Sequence, residues 1–481
     1  MERVLVFDSL CNWMRAGVIE DGVLCELHSE KYAAEDPTES LYYGCVKQIR
    51  PALNAAFVDI GQKQNAFLPL EKDEQLRCGD YLIVQGAAKQ TTDTKGLRIT
   101  RKITLAGKTL VLIPGGDGVH ISKKIRDEEQ RSLLIQTAQD ICPHGYGLII
   151  RTASLDVTRQ LLQDELETLL DQWNDALKKS AGLIRPGVIK AHARLDERLI
   201  RDLAGRELVR IVTNSCIQAD QLREWQRIGM ISAQTGIEIY TERGQLVFDA
   251  YGVETQLDKA LRKRTWLEHG GYLVIDHCEA MTVIDVNSGK MCLGKGIEET
   301  ALKVNLEAAD EIARQLRLRN IGGMITVDFI DMEDESHRKA VERRLKEAVL
   351  RDRVQVDVLG FTRLGLMEIK RRRERAELRK QMRISCSHCS GIGEVLCGEE
   401  IALRALQQVR RRVLSGQRGP FLISCSRAAA VALSAMSNPL SGERIYILAV
   451  SKHTEWVSVD QIGEDVPPPS GVFELRERMQ E

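Results

Sequence analysis

Two acidic residues close apolar, β-branched runs: Asp285 in Thr282-Val-Ile-Asp-Val-Asn287-Ser-Gly289, and Asp328 in Gly322-Gly-Met-Ile-Thr-Val-Asp328-Phe-Ile-Asp331. Side chains alternate across a strand, so Asp285 and Asn287 project from one face with Val283 beneath them. Val327 and Phe329, which flank Asp328, point the other way. Between the runs, residues 297–320 carry apolar side chains at Ala301, Leu302, Ala308, Ala309, Ile312 and Leu316, the spacing of a helix. A strand-helix-strand crossover returns the second strand beside the first. Asp285 and Asp328 then meet at one sheet end, where paired carboxylates hold a hard cation through oxygen ligands. That is the core of metal-assisted phosphodiester chemistry. Strand-end aspartates also cap helices or fix turns, and Asn-Ser-Gly is ordinary turn chemistry. The company these residues keep separates the two readings.

Three further groups of residues bear on that choice. Cys386-Ser-His-Cys389-Ser-Gly391-Ile-Gly393 places two thiolates at zinc-knuckle spacing, followed by glycines that let backbone wrap a metal. A structural zinc takes four ligands and the pair supplies two. His388 or Cys397 would complete a site within the chain; otherwise a second chain brings its own pair and the metal links subunits. A redox dithiol is the remaining option, without a thioredoxin-like βαβ pattern around it. Arg151-Thr152 closes the apolar run Gly147-Leu-Ile-Ile, and an arginine fork beside a hydroxyl suits a terminal phosphate. Phe57 and Phe67 stand among polar neighbours with Lys63, Lys89, Lys95 and Arg98 near in sequence. Aromatics interleaved with cations suit base stacking and phosphate tracking; the alternative is that both rings fill a core.

These residues need several domains to position them. At 481 residues the chain exceeds one compact core. Lys+Arg 68 against Asp+Glu 69 leaves a net charge of −1, so any polyanion surface is a local patch. No apolar run approaches the roughly 20 residues that span a bilayer, and the start lacks a basic leader with a cleavage site. Twelve cysteines without a framework pattern fit reduced thiols in a cytoplasm. Asp21-Gly22 predicts a hairpin near the N-terminus, and Asp36-Pro37 ends that unit. From Glu39 to about Ile113, short β-type runs alternate with turns, which predicts a small β-barrel. Residues 125–270 read as α/β, with an amphipathic helix over 156–179 that buries Leu162, Leu166, Leu169, Trp173 and Leu177. The basic run 369–380 reads as a solvated helix face.

The order of these motifs resembles the ribonuclease E/G family across almost the whole chain. It rests on a barrel near the N-terminus, Ile-Arg-Thr, Ile-Asp-Val-Asn-Ser-Gly, Gly-Gly-x-Ile-x-Val-Asp-Phe-Ile-Asp-Met, and Cys-x-x-Cys-x-Gly-x-Gly. Because the chain ends soon after the cysteine motif, it resembles the shorter G-type members more than the full-length E-type ones. The resemblance implies an α/β multidomain fold. An RNase H-like domain (1–36 and 125–270) carries the 5′-phosphate sensor and an inserted OB-type, S1-like barrel (37–124). A DNase I-like catalytic domain (271–380), a zinc-link (381–397) and a small C-terminal α/β oligomerisation domain (398–481) follow. It implies Mg²⁺ on Asp285 and Asp328, with Asn287 hydrogen-bonded to Asp328. It further implies a 5′-monophosphate pocket of Arg151, Thr152, Gly107 and Val111, with Phe57, Phe67 and Lys95 pressing RNA towards the metal. Zn²⁺ on Cys386 and Cys389 would be shared with a partner protomer. The products would carry a 5′-phosphate and a 3′-hydroxyl.

Two departures from the family pattern stand out. Ser387 replaces a usual proline, and part of an insertion between Leu70 and Gly79 is missing. The expected function is a Mg²⁺-dependent endoribonuclease of rRNA and mRNA processing and decay, acting on single-stranded RNA as a homodimer or tetramer. A non-catalytic RNA-binding scaffold and a less selective nuclease are the rivals. Converging acids favour the enzyme, since a pure binder has no use for them.

Overall fold

The structure, a computed structural model, describes residues 2–31, 37–70, 76–88, 96–122, 125, 127–203, 205, 207–242, 244–289, 297–384, 386, 389, 395–436, 443–450, 457–463 and 467–475. The chain divides into two compact units, Met1–Gln381 and Met382–Glu481. Among the described residues, four sheets build the first.

The N-terminal strands Arg3–Leu10, Trp13–Glu20 and Val23–Lys31 form an antiparallel meander. Asp21 and Gly22 both take left-handed backbone, φ 48° and 82°, as a two-residue hairpin of this hand requires. Strands Leu208–Thr213 and Gly236–Ile239 extend the sheet in parallel on the other side of Arg3–Leu10. The sheet is thus completed by chain far downstream of an inserted barrel.

That barrel closes through five strands. Leu41–Arg50 pairs with Ala55–Asp59, then Ala66–Pro69, Arg98–Thr100 and Tyr81–Ala88, which returns to Leu41–Arg50. Closure removes every free edge, and the interior is filled by Val46, Ala56, Val58, Ala66, Leu68, Val84 and Ile99. The architecture is mixed α/β with a closed barrel of OB type. The next strands leave the barrel. Leu105–Ala106, Leu110–Pro114 and Val119–Ile121 join Tyr146–Ile150 in a separate four-stranded sheet. Helix Arg159–Gly182 packs there through Leu162, Leu166, Leu169, Trp173 and Ala176. Leu177, expected on that stripe, is 39% exposed because the 3.6-residue period has rotated Ala176 into its place.

The fourth sheet runs Arg264–Trp266, Tyr272–His277, Met281–Asn287, Gly323–Asp328, Leu366–Arg371, Val356–Phe361. Helix Ile297–Leu318 covers one face and buries Ala301, Ala308, Ala309, Ile312 and Leu316, as the sequence periodicity predicts. On the other face Met281, Asp285, Met324, Asp328, Glu368 and Lys370 are exposed.

The basic run is not one helix face: residues 369–371 end a strand and 372–377 are irregular, and Arg371 is buried while Lys370, Arg372, Arg373, Arg375, Arg379 and Lys380 are exposed. Arg371 ends a strand, 3% exposed, and binds Asp352 at 2.7 Å. Arg375 donates to the His28 imidazole at 2.8 Å. Asp352 compensates the buried Arg371, and the exposed cations of the run keep their contact with solvent.

The second unit is a small α/β layer. Helices Gly398–Leu414 and Arg427–Ser434 pack on strands Phe421–Ser426, Ile445–Val450, Val457–Gln461 and Val472–Glu474. Among the described residues, no helix is long and apolar enough to cross a membrane.

Candidate active site

Strands Met281–Asn287 and Gly323–Asp328 pair in parallel, from Met281↔Met324 through to Asp285↔Asp328. Ile284, Val286, Ile325 and Val327 turn inward onto the helix. Asp285 and Asp328 therefore turn outward side by side, and both are exposed. Gly289 holds the turn that follows Asn287: its φ is +63°, and a Cβ there would lie 2.4 Å from the Gly270 carbonyl oxygen. Burial raises the Asp328 carboxyl above its ordinary range, and the negative charges of Asp285 and Asp331 raise it further. Like charges crowded at an open strand end are a cation's natural counterpart.

Asn287 corrects one expectation. Its amide Nδ2 donates to Asp285 Oδ2 at 2.8 Å rather than to Asp328. The two residues are separated by one position on a single strand, so their side chains lie on one face within reach. Asn305 does the positioning near Asp328 that sequence reading missed. Fully buried on the crossover helix, it donates to the Ile330 carbonyl at 2.8 Å and accepts from the Ile330 amide at 3.0 Å. The chain leaving Asp328 is thereby clamped. The legible signal was a polar residue inside an apolar helical stripe.

Two carboxylates suit Mg²⁺, which keeps several waters and takes one or two protein carboxylates plus phosphate oxygens. Among the described residues, no group of three or more His, Cys, Asp and Glu side chains forms an all-protein cage. The fit is to a shared ion, completed by substrate.

Arg151 follows strand Tyr146–Ile150, and Thr152 opens a short 3₁₀ turn, exposed. Arg151 donates through Nη1 to the Gly107 carbonyl at 2.6 Å and through Nη2 to Asp202 at 2.8 Å. Arg151 and Gly107 are thus in contact, and Val111 lies on the strand paired to the one Arg151 follows. Asp202, not singled out from sequence, fixes the guanidinium fork. Burial opposes its ionisation, yet Arg201, Arg151 and Arg353 together hold its carboxyl below the ordinary range. The neighbouring backbone already binds a carboxylate: Glu165 accepts from the amides of Lys108 and Thr109. The Lys108 and Thr109 amides and both Arg151 Nη atoms are thus engaged by protein acceptors.

Phe57 and Phe67 face each other across paired strands, ring centroids 6.0 Å apart in an edge-on arrangement. Both are half-buried on the outside of the barrel, while Ala56, Val58, Ala66 and Leu68 fill its interior. The core-filling alternative does not hold for them. Arg98 is the register partner of Phe67 and is exposed. Lys95 lies outside the described residues. In the second unit Cys386 is exposed and Cys389 half-buried, and neither is in a disulfide.

A closed barrel with outward aromatics, joined to an open sheet that aligns two carboxylates, defines the class: a chain built to hold and process a polynucleotide. Residues 104–374 match the Ribonuclease E/G family. The chain belongs to that family and is an endoribonuclease. Ribonuclease G of Escherichia coli K12 is 34% identical over 440 residues, 87% of this chain and 90% of its own length. Ribonuclease G of Haemophilus influenzae Rd is 34% identical over 83% of this chain and 85% of its own. Ribonuclease E of E. coli K12 is 34% identical over 86% of this chain, which corresponds to 41% of that longer protein.

Proposed function

We propose that the protein cleaves single-stranded RNA internally with Mg²⁺ held by Asp285 and Asp328, leaving 5′-phosphate and 3′-hydroxyl ends. The observation that carries this reading is the in-register pairing of the two aspartates on an open sheet face. When bound there, Mg²⁺ supplies activation of the attacking water and neutralisation of charge growing on the phosphate. The chain's residues do the rest. Asn287 holds the Asp285 carboxylate, Asn305 fixes the exit of the Asp328 strand, and Phe57 and Phe67 with Lys95 stack and guide the incoming strand. Arg151, Thr152, Gly107 and Val111 form the pocket for a 5′-monophosphate that stimulates cleavage. The substrates are rRNA and mRNA, cut in processing and decay in the cytoplasm. The scaffolds are of RNase H-like, S1-like and DNase I-like type, in support of which stand the sheet order around Arg3–Leu10 and the closed barrel.

A 5′-labelled single-stranded RNA incubated with and without Mg²⁺ tests the reading directly. Internal cleavage is expected only with the ion, faster on 5′-monophosphorylated than on triphosphorylated RNA. Arg151→Ala should erase that preference, on the order of 10-fold, through loss of a charge-assisted bond, while slow internal cutting persists. No cutting with Mg²⁺, or an unchanged preference in the variant, counts against the corresponding part.

Zinc belongs to the same proposal. Cys386 and Cys389 supply two thiolates, half of a tetrahedral set; following the family resemblance rather than completion by His388 or Cys397, the other half comes from a partner protomer and the metal joins a homodimer, or a tetramer built from such dimers. Replacing both with serine should release about one zinc per two chains and shift the mass in solution to the next smaller species. Unchanged mass and metal content would exclude the link.

A further inference from the structure

The open sheet face does not end at the aspartates. Asp285 lies opposite Val274 and Asn287 opposite Tyr272; on the next strand Arg264 lies opposite Val274 and Trp266 opposite Tyr272. Directly opposed residues share a face, so Trp266, Tyr272 and Arg264 stand on the same surface as Asp285 and Asn287. The Trp266 and Tyr272 rings meet at 5.2 Å and 60°. The Arg264 guanidinium lies 4.3 Å from the Tyr272 centroid and 5.8 Å from that of Trp266.

Packing does not account for this cluster. The core of the sheet is its other face, built from Leu273, Ile275, Ile284 and Val286. Trp266 remains 64% exposed, on an edge strand. Trp266 and Tyr272 with a cation beside them present π surface and positive charge together, the composition that receives nucleobases and phosphates. The aspartates are flanked, one strand away, by a surface of opposite chemical character.

We infer that Trp266 and Tyr272, assisted by Arg264, form a stacking step for an unpaired base of the RNA strand whose phosphodiester lies at Asp285 and Asp328. The inference rests on the proposed catalytic reading of this face. The Trp266 strand is two strand spacings from the Asp285 strand, about 10 Å, which places the stacked base within about two nucleotides of the scissile bond. A base can stack there only when it is unpaired, so the step contributes to single-strand preference at the cutting centre, independently of the barrel. Because every base has a π face, it sets position more than sequence.

The experiment uses the full-length protein and a short single-stranded RNA with 2-aminopurine placed in turn at each nucleotide around one mapped cleavage site. Binding is read in the Asp328→Asn background and cleavage in the otherwise wild-type chain. The step predicts quenching at a position within about two nucleotides of the cut, lost in Trp266→Ala and kept in Trp266→Phe. It also predicts a KM for cleavage raised about 5- to 100-fold in Trp266→Ala, with kcat changed less than KM. Quenching that survives in Trp266→Ala/Tyr272→Ala, or a KM within about twofold of wild type in that variant, overturns the inference. Efficient cleavage by Asp328→Asn would instead strike the catalytic reading, since the quenching pattern needs no cleavage to be read.

Discussion

Asp328→Asn is expected to lower Mg²⁺-dependent RNA cleavage by on the order of 10³-fold or more, and Asp285→Asn to do the same. Each substitution keeps the shape of the side chain and removes the charge that binds the ion. A lone remaining carboxylate leaves the cation weakly held, so several kcal/mol of transition-state stabilisation are lost. RNA affinity should stay within a few-fold, because the barrel face with Phe57 and Phe67 is untouched. The sign of the stability change separates lost chemistry from lost folding. The folded-state pKa of Asp328 is raised, first by burial and then by Asp285 and Asp331, so its ionised form burdens the metal-free fold at neutral pH. Asparagine removes that burden, and the metal-free variant should melt no lower than wild type. Cleavage measured beside a thermal melt and a binding curve checks all three. Wild-type-like cutting by either variant would remove the aspartate pair from the mechanism.

The sheet that carries Asp285 and Asp328 was legible because its determinants are local and periodic. β-Branched runs ending in Asp285 and Asp328, with an apolar helical stripe between them, leave one plausible topology. The barrel was legible through its short, evenly spaced strands, and its end was not. Leu105–Ala106 and Leu110–Pro114 have ordinary strand composition, and the pairing of Leu110–Pro114 with Tyr146–Ile150 is decided across more than thirty residues by packing. The basic run 369–380 was legible as solvated charge but not as a strand end and loop. The departures are local: the acids that act on Arg371 and Arg375, Asp352 and the Glu26 cluster, lie elsewhere in the chain. Asn287 shows the limit on the scale of one bond. Its place on the face of Asp285 follows from alternation, but which aspartate it grips depends on a side-chain rotamer that sequence does not state.

That Glu26 cluster yields the largest expected effect on stability. Glu26, 4% exposed, accepts from Arg353 at 2.5 Å and Arg317 at 3.3 Å and contacts the His28 imidazole at 3.1 Å. Arg317 also clasps Glu20 through two bonds of 2.8 Å, and Arg353 reaches Asp202 at 3.3 Å, the acid that holds Arg151. A single buried network thus ties the N-terminal sheet to the helix beneath the catalytic strands and to the candidate phosphate pocket. Glu26→Gln removes the central charge and leaves buried guanidinium groups partly uncompensated, a cost of about 3–5 kcal/mol. Tm should fall by on the order of 10 °C. Acid should act in the same direction on the wild type. Burial opposes ionisation of Glu20 and Glu26, but Arg317 and Arg353 prevail and hold both below the usual carboxylate range. Burial, then Arg375, lowers His28 to about 3, so it stays neutral where the unfolded chain's histidine takes a proton. A carboxylate with a depressed folded-state pKa stabilises above its unfolded value and loses that contribution as pH falls. A histidine that stays neutral when folded loses stability from about pH 6.5 downward. Melting temperature should therefore decline below about pH 6.5 and more steeply below about 5, with a shallower acid limb in Glu26→Gln. A variant that melts with wild type and shares its acid profile would show that the network contributes nothing to holding the unit together.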